Sequence, residues 1–187
     1  MVDTSRVEAT AVRAAVPADA AAIARLHVDS FRAAYADLVA DRSLARLSTT
    51  ARTRVWEERL GGDGEVLVGT SPSAGLTGFV WIGPTTDSDD DPAEVGQVRS
   101  IHVRPELRGR RIGQTLLAAA RHRLRARGHT VATLWVAAGN AAAQRAYARD
   151  GWEADGTARR ERLGLPGEPL PEVTVERFRR RLGSGKD

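Results

Sequence analysis

The sequence has no cysteine, one methionine, three phenylalanines, two tyrosines and four tryptophans, and Lys186 is its single lysine. The missing thiols exclude disulfides, thiolate metal sites and a cysteine nucleophile. No apolar run reaches the roughly 18 residues that a membrane helix needs. No basic segment followed by an apolar one opens the chain, so neither a signal peptide nor a membrane partner is expected, and the expected compartment is the cytoplasm. The scarcity of aromatics bears on the charge. At net +4 and a pI near 10.5 the chain could suggest nucleic acid. A nucleic-acid surface, however, interleaves basic residues with rings, and the basic stretch Arg104–Arg127 contains none. Nucleic acid is therefore not an expected partner. The positive charge, almost wholly arginine, is read as solvated surface with one local focus at Arg104–Arg111.

At 187 residues the chain suits one domain, 1–187, with a single sizeable core. Glu8–Val16 reads as a first strand. Pro17 and Asp19 then start a helix running to about Ala33, with Ile23, Leu26 and Ser30 on one face. Asp41–Leu47 predicts a short helical turn. Thr49 or Thr50 would cap a second long helix through Leu60, its apolar side formed by Val55, Trp56, Arg59 and Leu60. Glu65–Thr70 and Leu76–Ile82 predict an antiparallel pair joined at Ser71–Gly75. The acidic segment Pro84–Pro92 is expected to be disordered or to face solvent. Thr130–Val136 is apolar enough to be a strand buried on both faces, Asn140–Arg149 a short helix, and Gly151-Trp152 the opening of another strand. Pro171–Arg180 alternates Val173, Val175 and Phe178 with polar residues and should close the sheet. No internal repeat or linker interrupts this order, which describes an α/β fold.

One stretch organises the rest. Val98–Val103 alternates as a strand, Arg104-Pro105-Glu106-Leu107 turns, and Arg108-Gly109-Arg110-Arg111-Ile112-Gly113 is a glycine-containing loop opening the helix Ile112–Ala126. The first N–H groups of a helix lack partners, and the helix dipole makes that end positive. Glycine lets an anion approach closely, so the loop is read as a diphosphate site. It lacks the lysine of a P-loop and the third glycine of a dinucleotide fingerprint.

The loop instead resembles the acetyl-CoA loop of the GNAT superfamily of N-acetyltransferases. That pattern is Gln or Arg, two residues, Gly, one residue, then Gly or Ala. Arg108 and Gly113 match its ends, whereas Arg111 stands where the first glycine is usual, a change expected to be tolerated with Arg111 at negative φ. A second stretch carries the same resemblance. Leu134–Gly139 is followed by Asn140, by Tyr147 seven residues on, and by Gly151-Trp152. Leu26–Tyr35 is also similar to the first helix of many members. The resemblance thus covers most of the chain.

It implies a mixed, mostly antiparallel sheet of six or seven strands. Helices cover both faces, and a central parallel pair is splayed into a V. Acetyl-CoA would enter the V as co-substrate, its pantetheine running beside Ser100–Val103. The implied acetyl-CoA contacts are Ile101, His102, Val103, Arg108, Gly109, Arg110, Arg111, Ile112, Gly113, Gln114, Asn140 and Ala143. Tyr147 would be the general acid that protonates the departing sulfur. No metal is implied. The acceptor would be a small-molecule or peptide amine near Phe31, Tyr35, Trp56, Trp81 and His102, and pairing of two copies is left open. Many members carry a glutamate as base where Gln97 stands. His102 or a water chain is the alternative, with Glu94 three residues earlier. The competing reading is a non-catalytic acyl-CoA sensor on the same fold, which would keep the loop and lose the acid and base.

Overall fold

A computed structural model describes residues 10–36, 40–164, 168 and 170–183. The first strand, β1, spans Ala11–Ala14; Glu8 and Ala9 lie outside the described residues. Pro17 starts a 3₁₀ turn over Pro17–Asp19, held by the Asp19 carboxylate, which accepts from the Val16 N–H at 2.8 Å. Helix α1 (Ala20–Tyr35) follows directly, then α2 (Asp41–Ala45) and α3 (Thr49–Leu60). The cap of α3 is Ser48, not Thr49 or Thr50. Ser48 is the last residue with extended backbone, and its hydroxyl accepts from the Ala51 N–H at 3.1 Å. The buried side of α3 also differs from expectation. Arg52 and Trp56, four residues apart, are buried, while Val55, Arg59 and Leu60 are half-buried.

The remaining elements are β2 (Glu65–Ser71), β3 (Gly75–Pro84), β4 (Val95–Val103), α4 (Ile112–Ala126), β5 (Val131–Ala137), α5 (Ala141–Arg149), β6 (Glu153–Arg162) and β7 (Glu172–Arg181). All seven strands join one sheet in the order β1-β2-β3-β4-β5-β7-β6. Every neighbouring pair is antiparallel except β4 and β5. Helices cover both faces, as strand alternation requires. Leu67, Val80, Ile82 and Val98 turn toward Leu116, Ala120 and Leu124 of α4. Val66, Val68 and Phe79 turn the other way, onto Ile23 and Ala24 of α1 and Trp56 of α3. No helix among the described residues is long and apolar enough to cross a membrane.

The parallel pair is short. Val95–Val98 run beside Val131–Leu134, and there the pairing stops. At that point β4 carries one extra residue against β3: Trp81 pairs with Ser100 and Ile82 with Val98, so Arg99 is bulged out. A bulge bends its strand. Beyond it β4 follows β3 while β5 follows β7 through Ala137. The two strands part into a V, and Arg99–Val103 have a free edge inside it.

One expectation is overturned and a second holds only in part. Arg111 does not keep negative φ. It caps α4 at φ 63°, ψ 4°, the one non-glycine residue with positive φ among those described. The turn from Leu107 into α4 needs a left-handed residue at this step, which explains why glycine is usual there, and an L-arginine bears a cost of about 1–2 kcal/mol.

The acidic segment 84–92 is tied down at its acids, although Thr86, Ser88, Asp89, Asp91 and Pro92 face solvent as expected. Its first acid, Asp87, is buried, accepting from the Trp135 indole at 3.0 Å, the Arg159 guanidinium at 2.9 Å and the Gln97 amide at 3.3 Å. Asp89 and Asp90 pair with Arg177 and Arg179 of β7 at 2.7 and 2.8 Å. A run of like charge reads as solvated only while its counter-charges, here some 88 residues away, are unknown.

Arg111→Gly should leave the urea midpoint unchanged or raise it, since relief of strain offsets the extra freedom of glycine in the unfolded chain. Arg111→Val should lower the midpoint, by an amount equivalent to about 1 kcal/mol of stability or more, because a β-branched residue fits left-handed backbone worse. A large loss for the glycine variant would instead assign the side chain a supporting contact. Asp87→Ala should cost about 1–3 kcal/mol by stranding the Trp135 donor and the paired arginines, and should expose residues 84–92 to limited proteolysis. A variant as stable and protease-resistant as the parent would remove Asp87 as the anchor.

Candidate functional site

The loop between β4 and α4 is built to leave backbone donors open. Leu107 and Ile112 are buried and pin its two ends, while Arg108 to Arg111 are exposed. Gly109 takes φ 79° and Arg111 φ 63°, so two left-handed residues two apart curl the backbone. The N–H groups of Gly109 to Gln114 meet no acceptor among the described residues; the first helical bond of α4 is Thr115 N–H to Arg111 O at 3.0 Å. Gly113 has ordinary φ, and a Cβ there would sit 3.7 Å from Val103 Cγ2, a normal contact. What glycine keeps clear at 113 is thus the space outside the helix end. Curled backbone with free N–H groups at a positive helix terminus suits a diphosphate. Arg108 is partly committed elsewhere, donating to the Ser30 carbonyl at 3.0 Å and tying the loop to α1.

From this loop a continuous cleft of about 1330 Å³ follows the V. Ile101, His102, Val103, Arg108, Gly109, Arg111, Ile112, Gly113, Gln114, Asn140, Ala143 and Tyr147 all line it; Arg110 does not, and points to solvent. One wall is the free edge of β4, whose unpaired N–H and C=O groups could accept an extended amide chain as an added strand. The other begins at the end of β5. There Asn140 caps α5, its Oδ1 accepting from the Ala143 N–H at 3.1 Å. The cap occupies the oxygen; no hydrogen bond among the described residues uses the amide nitrogen. Two turns on, Tyr147 packs against Trp152 and Phe178 with ring centroids 6.5 and 6.3 Å away. Burial, and then neighbouring Tyr35, hold its phenol above the ordinary range. It therefore stays protonated at any working pH and keeps a proton to donate.

The far part of the cleft lies between α1, α3 and the β6–β7 hairpin. Phe31, Tyr35, Trp81 and His102 line it as expected; Trp56 is fully buried behind them and belongs to the core. His102 Nδ1 lies 2.7 Å from Ser30 Oγ, and Ser30 Oγ donates to the His27 carbonyl at 3.2 Å. With the serine proton used this way, the hydrogen-bond chain assigns a proton to His102 Nδ1 and leaves Nε2 as an acceptor. Loss of hydration pushes His102 down to about 3, with Arg52 and Arg108 acting in the same sense. His27 is neutral for a similar reason: burial first, then the nearby His102, Arg52 and Arg59, lower it well below the usual histidine range. Its Nδ1 accepts from the Trp56 indole at 3.2 Å and from Arg52 at 3.1 Å. Arg52 in turn pairs with Glu168 at 2.7 Å, closing the hairpin onto α3.

At the position expected to bear an acid, Gln97 is buried and its amide holds the 84–92 segment: Oε1 accepts from Thr86 and Nε2 donates to Asp87, each at 3.3 Å. Glu94 is exposed and outside the cleft. The sequence reading missed Arg59, Arg99, Arg159 and Glu161, which also line the cleft. Arg159 and Glu161 alternate along β6, and that period-2 spacing was the available signal. Arg59 and Arg99 carried none, since one read as part of the apolar side of its helix and the other as an ordinary strand residue.

The acetyltransferase (GNAT) family model matches residues 20–152. Mycothiol acetyltransferase of Rhodococcus opacus is 37% identical over 84 residues, 45% of this chain and 27% of that protein. The enzyme of that name from Sanguibacter keddieii is 35% identical over 77 residues, 41% of this chain and 24% of the relative. The matched stretch thus spans about a quarter of these relatives' length. Among solved structures, PaiA N-acetyltransferase from Thermoplasma acidophilum in complex with coenzyme A superposes with TM-score 0.70 at 16% identity, covering 90% of this chain and 98% of that one. YncA of Salmonella typhimurium, solved with its cofactor acetyl-CoA, gives 0.67 at 21% identity, covering 96% and 98%. These two share the fold. With a family model spanning most of its length and the splayed seven-stranded sheet in place, this chain belongs to the GNAT acetyltransferase family, whose co-substrate is acetyl-CoA.

Proposed function

We propose that residues 1–187 act as one N-acetyltransferase domain, moving the acetyl group of acetyl-CoA directly to a primary amine. The observation that carries this reading is the free edge of β4 leading, within one cleft, from the open N–H groups of Gly109–Gln114 to the Tyr147 phenol. The loop would hold the diphosphate and the edge of Ile101–Val103 the pantetheine amides. The Asn140 amide nitrogen would bond the same arm. In the reaction the free amine attacks the thioester carbonyl. A C–N bond forms, the C–S bond breaks, the nitrogen loses a proton and the sulfur gains one. Tyr147 would supply that proton and recover one from solvent.

The amine must first lose its own proton, and at a pKa near 10.4 only a small fraction is free at neutral pH. Gln97 has no proton-accepting group. His102 is neutral throughout the working range and too weakly basic to hold the proton, its pKa being lowered to about 3. Water in the cleft would carry it to solvent. Because Gln97 replaces an acid, a sensor that binds acyl-CoA without transfer is the second reading.

Gly113→Glu should raise the acetyl-CoA Kd at least tenfold in calorimetry, since a carboxylate would face the diphosphate on a helix start with room for a side chain. Equal affinity in a folded variant would remove the loop from the site. Tyr147→Phe keeps the packing and deletes one hydroxyl. Acetyl-CoA binding should persist while kcat falls at least tenfold, within the range of positioned proton transfer; a change under twofold would dismiss Tyr147 as the acid. With no protein base titrating near neutrality, kcat/KM should rise about tenfold per pH unit from 6 to 8, as the free-amine fraction does. A plateau inside that window would reveal a protein base. Tight binding with no CoA release from any amine would favour the sensor.

A further inference from the structure

The acceptor part of the cleft carries an uncompensated positive charge. Among its described lining residues Glu161 is the lone carboxylate, against Arg52, Arg59, Arg99, Arg159 and Arg162. Four of these arginines have partners. Arg52 pairs with Glu168 at 2.7 Å. Arg99 holds Asp63 at 3.0 Å and the Pro84 carbonyl at 3.0 Å. Arg159 holds Asp87 at 2.9 Å and Glu161 at 2.8 Å. Arg162 donates to the Leu170 carbonyl at 3.2 Å. Arg59 makes no hydrogen bond or ion pair among the described residues.

Arg59 is nevertheless held in place. Its guanidinium stacks 4.4 Å from the Trp81 ring and 4.9 Å from the Trp56 ring, and the residue is half-buried. Stacking fixes the plane of the group and leaves its N–H edge unused. Its surroundings raise its potential further. Arg52 and Arg99 are like-charged neighbours that act with burial to lower its pKa. Arg99 has a side chain only 9% exposed with Nε unpaired, and the Trp81 indole N–H is buried without an acceptor. Arg59 lies in the last turn of α3, where the helix end favours positive charge. A planar, pre-oriented, unpaired guanidinium in a cleft matches a carboxylate bidentately.

The register gives the reach. Trp81, under Arg59, pairs with Ser100, on the stretch of β4 that has lost β5. The anion would therefore sit about one to two strand spacings, roughly 5–10 Å, from the axis of the V. We propose that the acceptor of this chain is an amine bearing a carboxylate a few bonds away, an amino-acid-like compound whose carboxylate docks on Arg59. The inference rests on the cleft being the acceptor site of acetyl transfer. It disfavours polyamines, which would bring further positive charge into an arginine-lined wall.

Matched pairs test it: L-phenylalanine and phenethylamine, L-leucine and isoamylamine, L-lysine and cadaverine, β-alanine and ethylamine, with spermidine added. Each is titrated by calorimetry into the CoA-loaded protein and then assayed for CoA release with acetyl-CoA. At least one carboxylate-bearing member should bind ten times more tightly than its decarboxylated partner, and Arg59→Gln should remove that preference while acetyl-CoA affinity stays within twofold. Should Arg59→Gln misfold, Arg59→Lys, which keeps the charge without the planar fork, should reduce the preference partially, and the parent titrations decide alone if neither variant folds. Equal binding within every pair, no binding of any carboxylate-bearing member, or a preference that survives Arg59→Gln overturns the proposal. A carboxylate-bearing member that binds through Arg59 but releases no CoA defeats the transferase reading and leaves the docking site standing. Faster turnover of the decarboxylated amines or spermidine does the reverse.

Discussion

Backbone hydrogen bonds in the middle of a sheet are seldom left unmade, because buried N–H and C=O groups that lose water need another partner. This chain breaks its central ladder after four residue pairs, at Val98 and Leu134. The break is supported from both sides. The bulge at Arg99 turns β4 after β3, and β7 holds β5 along its whole length from Val131 to Ala137. Each strand thus keeps one full set of bonds and offers the other to the gap. The glycine loop, the cap at Asn140 and the ring of Tyr147 are arranged around that gap.

Charge in this protein is handled almost wholly by arginine, and the arginines do three separate jobs. Some tie segments together, as Arg177 does by holding Asp89 and Asp155 at 2.7 Å each. Its own pKa is raised by those hydrogen bonds, with burial opposing. Others press on rings: Arg159 lies 3.9 Å from the Trp135 centroid while also meeting Asp87. Arg59 stacks on Trp81 and Trp56 with no counter-charge among the described residues.

Local chemistry made much of the fold legible in advance. Pro17, Pro105, Gly128 and the apolar spacing of Ile112, Leu116 and Leu124 act within a few residues of themselves, so helix α4 is found where its periodicity puts it. The loop and the Asn140–Tyr147 spacing were legible for the same reason. The misjudged features depend on distant partners or on backbone dihedrals. Arg111 looks like any helix-start arginine until the turn geometry demands a left-handed residue. The acids of 84–92 look solvated until β7 delivers Arg177 and Arg179. Arg52 reads as surface until Glu168 arrives from the far hairpin.

The place of β7 in the sheet also has a bearing on how the chain folds. It is inserted between β5 and β6, pairing Val131 with Arg181, 50 residues further along the chain, and its arginines secure a segment made some 88 residues earlier. Until that strand is synthesised, β5 has an open edge and Asp89 and Asp90 lack the arginines that hold them. Contacts of such long sequence separation form late and slowly. The nascent protein therefore passes through a stage in which β1 to β4 and their helices can assemble while the substrate cleft cannot. An exposed β5 edge at that stage is the part of the molecule most open to mispairing with other chains.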